Sequence, residues 1–377
     1  MDFELTREQK MIRDTVREFA EAEIAPNAAE WDRTEAFPLE TFRKMGELGF
    51  LGIPFPEEYG GSGGDMVSYC LAVEEIGRAC GGTGLSFEAH VSLACTPIYL
   101  YGTEEQKKKY LVPLARGESL GSFGLTEPGA GSDAGGTKTT AALDGDEWVI
   151  NGTKIFNTNG GVASTVVLTA VTDKENRGIS AFIVPTNVPG FSVSKAYEKL
   201  GMRASNTVEL ILEDVRVPKE NLLGPLNAGF KQFLSTLDGG RVAISGLAIG
   251  IARAAFETAL AYAKTRVQFG QSISKFQAIQ HKLADMAMHI ELARNAMLKA
   301  AWLCDQGKPF SLEASYSKLF SSEMCTRTCE QAVQILGGYG YMREYSVERN
   351  YRDAKLIEIG EGTSEVQRLV IARHLGC

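Results

Sequence analysis

Two groups of residues in this sequence have types and spacings that chemistry uses. The first is Gly129-Ala130-Gly131-Ser132-Asp133-Ala134, a G-x-G-x-x-A pattern. Between a strand and a helix such a run would be a dinucleotide turn, with backbone N–H groups facing a pyrophosphate. The flanks do not supply that setting. Pro128 interrupts the preceding segment, and Thr137 to Ala142 read as strand rather than helix. The run is therefore a glycine-rich loop outside any Rossmann unit. Its N–H groups and the Ser132 hydroxyl could cradle a phosphate; taken alone, it reads better as a plain domain-entry turn. The second group is Cys325 and Cys329, one helical turn apart. With 7 cysteines, 4 histidines and no C-x-x-C pair, reduced core thiols are expected there and no metal site.

The elements that position these residues change character twice along the 377 residues, too many for one ordinary core. Residues 1–117 read as an α-helical domain. Thr6 and Gln9 form a capping-box pattern ahead of Ile12, Val16 and Phe19, and Pro38 opens a second helix ending near Gly49. A third, Met66 to Arg78, is expected to stop at Gly81-Gly82, with more helix at His90–Tyr99 and Glu104–Leu114. Residues 118–225 read as a β domain, a small antiparallel barrel or sandwich. Asp144-Gly145 and Asn151-Gly152 are hairpin signals, and short β-branched runs follow at 165–168, 180–184 and 208–212. Residues 226–377 return to helix. Ile279, Leu283, Met286, Ile290, Ala293, Met297 and Ala300 make a bundle seam. Helices at 311–336, capped by Gly337-Gly338, and at 363–375 complete a four-helix bundle. The fold class is mostly α with a central β domain.

Acidic residues outnumber basic ones by 47 to 39, a formal charge of −8, which argues against a nucleic-acid partner. Met1-Asp2-Phe3-Glu4-Leu5 shows no basic start or apolar leader, and no uninterrupted apolar run has bilayer length. The expectation is a cytoplasmic protein without a transmembrane segment.

The stretch from Phe123 to Asp133, Phe-Gly-Leu-Thr-Glu-Pro-Gly-Ala-Gly-Ser-Asp, closely resembles the first signature of the acyl-CoA dehydrogenase family. The resemblance recurs in order along nearly the whole chain. Lys154-Ile-Phe156-Asn-Thr158 resembles the family's flavin-side strand, and Arg266-Val-Gln268-Phe269-Gly its reach to a neighbouring subunit's FAD. Gln334-Ile-Leu-Gly337-Gly338 resembles the adenosine-side motif, and Glu361-Gly362-Thr363-Ser-Glu365 the segment holding the catalytic base. The family's helix, barrel and helix layout agrees with the three regions above.

The resemblance implies an enzyme of the short-chain, butyryl-CoA dehydrogenase kind. It would convert an acyl-CoA to the trans-2-enoyl-CoA, pass electrons to an electron-transferring flavoprotein, and assemble as a homotetramer, a dimer of dimers. Removing the weakly acidic α-proton of a thioester needs a carboxylate base and a stabilised enolate oxygen. By resemblance Glu361 is that base. Some members place it on an earlier helix, at the position held here by Gly240, which cannot serve. Apolar and small neighbours would raise the Glu361 pKa, whereas the helix N-terminus at Thr363 would lower it. The resemblance assigns Phe123, Leu125, Thr126, Phe156 and Thr158 to the isoalloxazine wall. Ser132 would contact the pyrophosphate or CoA side. Arg266, Gln268, Phe269, Gln334, Gly337, Gly338, Thr363 and Glu365 are the other FAD positions, and Asp238, Arg241 and Gly362 meet substrate. Phe156 and Asn157 depart from the commoner Trp and apolar residue, and Gly360 from Tyr. Alternatives are a flavin oxidase or monooxygenase of the same fold, and a non-catalytic CoA- or flavin-binding protein.

Ser86-Phe87-Glu88-Ala89-His90 aligns with the segment flooring the family's acyl tunnel. A carboxylate there is costly beside a long alkyl tail, so a short, branched or cyclic acyl group is expected. Because charged helix residues are mostly exposed, a solvent-facing Glu88 is the first expectation; the alternative is a Glu88 that faces the tunnel as a recognition or second proton-accepting group for an unusual substrate.

Overall fold

Reciprocal hydrogen bonds between Thr6 and Gln9 start the first helix, Arg7–Phe19, as its sequence pattern requires. The structure, a computed structural model, describes residues 4–377. The helix Met66–Ala79 follows, capped by Asp65, and is buried along most of its length. The glycines after it do not end the helical layer. A new helix, Gly81–Glu88, begins there and continues through Ala89–Cys95 and Thr96–Tyr101. The reason is packing: a Cβ on Gly84 would lie 2.6 Å from Leu247 Cδ1, and one on Gly81 2.7 Å from Asp353 Oδ2. Here glycine permits close approach between helices, and that approach draws the segment carrying Glu88 into the interior.

The middle region contains β1 (Leu120–Gly124), β2 (Thr140–Asp144), β3 (Glu147–Thr158), β4 (Ala163–Asp173), β5 (Gly178–Pro185), β6 (Phe191–Val193), β7 (Thr207–Pro218) and β8 (Leu222–Leu223). They form one sheet in the order β6-β7-β3-β2-β4-β5-β8. Side chains from β2, β3, β4, β5 and β7, among them Trp148, Val166, Phe182, Leu210 and Val217, share a single buried core about which the sheet curls. The antiparallel expectation needs two corrections: β1 pairs with β4 in parallel, and β2 meets β4 in parallel at Thr140 and Val171. Parallel neighbours require a long crossover, and between β1 and β4 the β2–β3 hairpin supplies it. The glycine-rich loop leads into a single turn, Ala134–Gly136, and then β2, with no helix after it.

One buried ion pair fixes this region to the loop after β1. Lys154 Nζ lies 2.8 Å from Glu127 Oε1 and 3.2 Å from the Leu125 carbonyl. Glu127 also accepts from the Lys138 and Thr139 N–H groups and the Thr137 hydroxyl. These bonds hold the Glu127 carboxyl down at about 2, although burial alone would raise it.

The C-terminal helices are Gly229–Thr265, Gln277–Asp305, Ser311–Leu336 and Ser364–His374, with an additional helix, Ser346–Ile357, that periodicity did not reveal. Leu283, Met286, Ile290, Ala293, Met297 and Ala300 are buried, as a seam should be. The first of these helices has 37 residues. By length and composition it could cross a membrane, with mean hydropathy 1.4 in its most apolar window, yet 72% of that window is buried inside the protein. Its apolar surface serves the core.

Candidate active site

Glu361 sits in the turn between the helices Ser346–Ile357 and Ser364–His374. It adopts φ 55° and Gly362 follows at φ 93°, two successive left-handed residues that reverse the chain. Thr363 then caps the last helix, its hydroxyl accepting from the Val366 N–H. Side chains from three helices grip the carbonyls of this turn. Arg241 Nε (3.3 Å) and Gln367 Nε2 (3.1 Å) donate to the Glu361 carbonyl. Lys318 Nζ (2.8 Å) and Gln367 Nε2 (3.0 Å) donate to that of Gly362.

Glu361 as a whole residue is half-buried, but both its carboxylate oxygens are buried and receive no hydrogen-bond donor from the described residues. The carboxylate lies against Gly240, where a Cβ would stand 2.3 Å from Oε2. Burial pushes Glu361 up to about 7, against the opposing pull of Glu88, Lys318 and Arg241. Burial therefore wins the contest that the sequence left open. Desolvation also brings the Lys318 ammonium down to about 8.

Glu88 overturns an expectation. It is fully buried, not solvent-facing, and its two oxygens also lack a donor. Its side chain meets that of Glu361, and burial followed by this neighbouring charge drives it well above the usual carboxylate range. Neither the contact of Glu88 with Glu361 nor Lys318 as a clamp was identified from sequence. For Lys318, the available signal was a lysine amid the small buried residues Ala314, Ser315, Ser317, Ser321 and Ser322.

The long helix Gly229–Thr265 joins this centre to the β domain. Its Phe233 stacks on Phe123 of β1, with ring centroids 4.3 Å apart. Leu125 and Thr126 continue from β1, and the Thr126 carbonyl accepts from the Ile155 N–H at 2.8 Å. Phe156 occupies a β-bulge with φ 59° and is 63% exposed, its ring 5.6 Å from that of Tyr197. Thr158 is half-buried at the end of β3 and Ser132 is exposed. Arg241 is buried and bound to Asp238 at 2.7 Å, so its guanidinium faces inward. Glu365 is exposed in the first turn of the last helix.

A second group of the predicted residues lies at the far end of the long helix. Arg266, Gln268, Phe269, Gly337 and Gly338 line a cleft of about 630 Å³. Arg266 lies over the Tyr339 ring at 5.7 Å, and Phe269 is 94% exposed. Gln334 is exposed on the helix leading to this cleft, outside its lining. At 1.5 Å per residue, Arg241 and Arg266 are about 37 Å apart along the helix.

The sequence matches three successive domain descriptions: the acyl-CoA dehydrogenase N-terminal domain over residues 6–118, the middle domain over 122–215 and the C-terminal domain over 227–376. The chain belongs to the acyl-CoA dehydrogenase family. Its fold, helices either side of a central β domain, is the family's own. The probable acyl-CoA dehydrogenase YngJ of Bacillus subtilis is 65% identical, with all of both chains covered. The structure of butyryl-CoA dehydrogenase from Megasphaera elsdenii superposes with a TM-score of 0.98 at 46% identity, covering 100% of each chain. A chain solved in work on the electron transferring flavoprotein of Acidaminococcus fermentans gives a TM-score of 0.99 at 52% identity, covering 100% of this chain and 99% of that one. On the long helix Gly240 carries no side chain, and the Glu361 carboxylate occupies the space beside it.

Proposed function

We propose that this chain is an FAD-dependent acyl-CoA dehydrogenase. It converts a short acyl-CoA thioester to the trans-2-enoyl-CoA and passes the electrons to an electron-transferring flavoprotein. The observation that carries this reading is the Glu361 carboxylate, sealed, without a donor, and raised to about 7. A base of that strength matches proton removal near neutral pH. Arg241, Gln367 and Lys318 fix the turn bearing it, so the carboxylate is presented without reorganisation at the moment of reaction. Glu361 takes the α-proton.

The residues fit a flavin dinucleotide. Phe156 is an exposed aromatic held outward by a bulge, and Gly129 and Gly131 have open space where a Cβ would stand. Bound FAD would accept the β-hydrogen as hydride. Phe123, Leu125, Thr126, Phe156 and Thr158 are assigned to its ring system and Ser132 to the phosphates or CoA. Asp238, Arg241 and Gly362 belong to the substrate side, Arg241 through the Glu361 carbonyl. Thr363 and Glu365 remain assigned to the cofactor side.

The distal cleft, with the Arg266 guanidinium among aromatic walls and open space beside Gly337 and Gly338, suits the adenosine and pyrophosphate end. It lies too far from Glu361 for one dinucleotide on one subunit to occupy both. We therefore assign it to a neighbour's FAD, within a homotetramer arranged as a dimer of dimers. The polar Glu88 beside the base and the likeness to butyryl-CoA dehydrogenase support a short acyl group.

Glu361→Gln tests the central assignment. Anaerobic flavin reduction by butyryl-CoA should slow by more than the roughly 10²–10⁴-fold typical of losing a general base, while FAD stays bound. Near-normal reduction would place the base elsewhere. An optimum at long chains across an acyl-CoA series would refute the short acyl pocket.

A further inference from the structure

Glu88 and Glu361 bring two carboxyl groups into contact inside the protein, and none of their four oxygens receives a donor from the described residues. The charged and hydroxyl side chains that act on the pair have other partners, the Ser92 hydroxyl, which favours charge on Glu88, among them. From the helix Met66–Ala79, the Tyr69 hydroxyl lies 3.1 Å from the Glu88 carbonyl and 2.9 Å from Ser92 Oγ. Cys70, also facing Glu88, is a buried thiol whose ionisation burial suppresses. From the long helix, Arg241 serves Asp238 and the Glu361 carbonyl. From Ser311–Leu336, Lys318 serves the Gly362 carbonyl. The fields of Lys318 and Arg241 favour charge on Glu361. No cation acts comparably on Glu88.

Two carboxylates in contact in a water-excluded space cannot both ionise, so they retain a proton between them. It belongs on the member without cationic support. A protonated carboxyl has one O–H to give, and the acceptor it faces is Glu361.

We propose that Glu88 is a positioning residue for the base: as a neutral carboxylic acid it donates a hydrogen bond to the Glu361 carboxylate and holds it in place against Gly240. This rests on the reading of Glu361 as base. The donated bond stabilises the ionised form, offsetting part of the burial penalty. Loss of the Glu88 proton at high pH puts a second negative charge beside the site where enolate charge develops.

Two variants separate donor from bulk: Glu88→Gln retains a donor and has no proton to lose, and Glu88→Leu has neither donor nor charge. The pH dependence of flavin reduction by butyryl-CoA is measured in single turnover. In Glu88→Leu the acid limb should move up by about one pH unit, a roughly tenfold loss well below the new midpoint. Glu88→Gln should keep the wild-type acid limb and lose its alkaline decline. Unchanged acid limbs in both variants, or a downward shift in Glu88→Leu, would overturn the proposal.

An infrared spectrum of the substrate-free holoenzyme, taken at a pH well above 7 so that Glu361 and the buried Asp353 are ionised, provides a readout independent of turnover. A carboxylic-acid C=O band should be present in the wild type and in Glu361→Gln, and absent in Glu88→Gln. A wild type without the band, or a band that disappears in Glu361→Gln and persists in Glu88→Gln, would refute the assignment of the proton. If Glu361 were not the base, Glu361→Gln would still reduce its flavin, whatever the infrared result.

Discussion

Gly240→Ala adds one methyl group where the structure has no room for it. Its carbon would stand 2.3 Å from Glu361 Oε2, 3.0 Å from Cδ and 3.0 Å from Leu93 Cδ2, whereas ordinary contact begins near 3.4 Å. Relief requires the carboxylate to move by the difference, about 1 Å, and the direction available is away from the long helix. The clash falls on the far end of a flexible side chain, so the fold should accommodate it with little loss of thermal stability. A catalytic group displaced by about 1 Å loses on the order of 10²-fold in rate. The assay is stopped-flow flavin reduction by butyryl-CoA, beside FAD content and a melting curve. A variant with normal melting, normal FAD and a reduction rate lowered by about 10²-fold is expected. Wild-type reduction would show that the carboxylate does not work from its place against Gly240.

Lys154→Met strands Glu127 without its cation and should destabilise the protein by about 3–5 kcal/mol, the usual cost of breaking a buried pair; denaturant unfolding measures it, and a loss below about 1 kcal/mol would mean that the three other donors to Glu127 suffice. Arg266→Ala should weaken FAD retention, with flavin loss tracking subunit dissociation in sedimentation. A stable monomer holding stoichiometric FAD would refute the assignment of the cleft to a neighbour's cofactor.

Much of the architecture was legible because its signals are local. The Thr6 and Gln9 cap, the 279–300 seam and the Gly337 helix end, at φ 60°, depend on residues a few positions apart. The Met66–Ala79 helix does stop ahead of Gly81-Gly82, but the helix Gly81–Glu88 that starts there was not foreseen, because a glycine that breaks a helix and one that admits a neighbouring element have the same local sequence; Asp353 against Gly81 and Leu247 against Gly84 decide between them. Glu88 failed for the same reason. Its surroundings include Tyr69 and Glu361, both distant in sequence, so the general tendency of charge to face water pointed the wrong way. Glu361 emerged from an ordered set of motifs, whereas the Lys318 grip on the following carbonyl is visible only in three dimensions.

Phe156, Phe269 and Glu361 all have positive φ without being glycine, at 59°, 52° and 55°. A left-handed backbone costs an ordinary L-residue roughly 1–2 kcal/mol, and such strain persists only where surrounding structure enforces it. All three are residues assigned here to flavin or to chemistry. Selection for heat resistance alone would therefore favour glycine or asparagine at these positions, raising the melting temperature while removing a flavin contact or the base. Thermostability screens of this enzyme should score flavin content and turnover alongside melting, because here stability and activity pull individual residues in opposite directions.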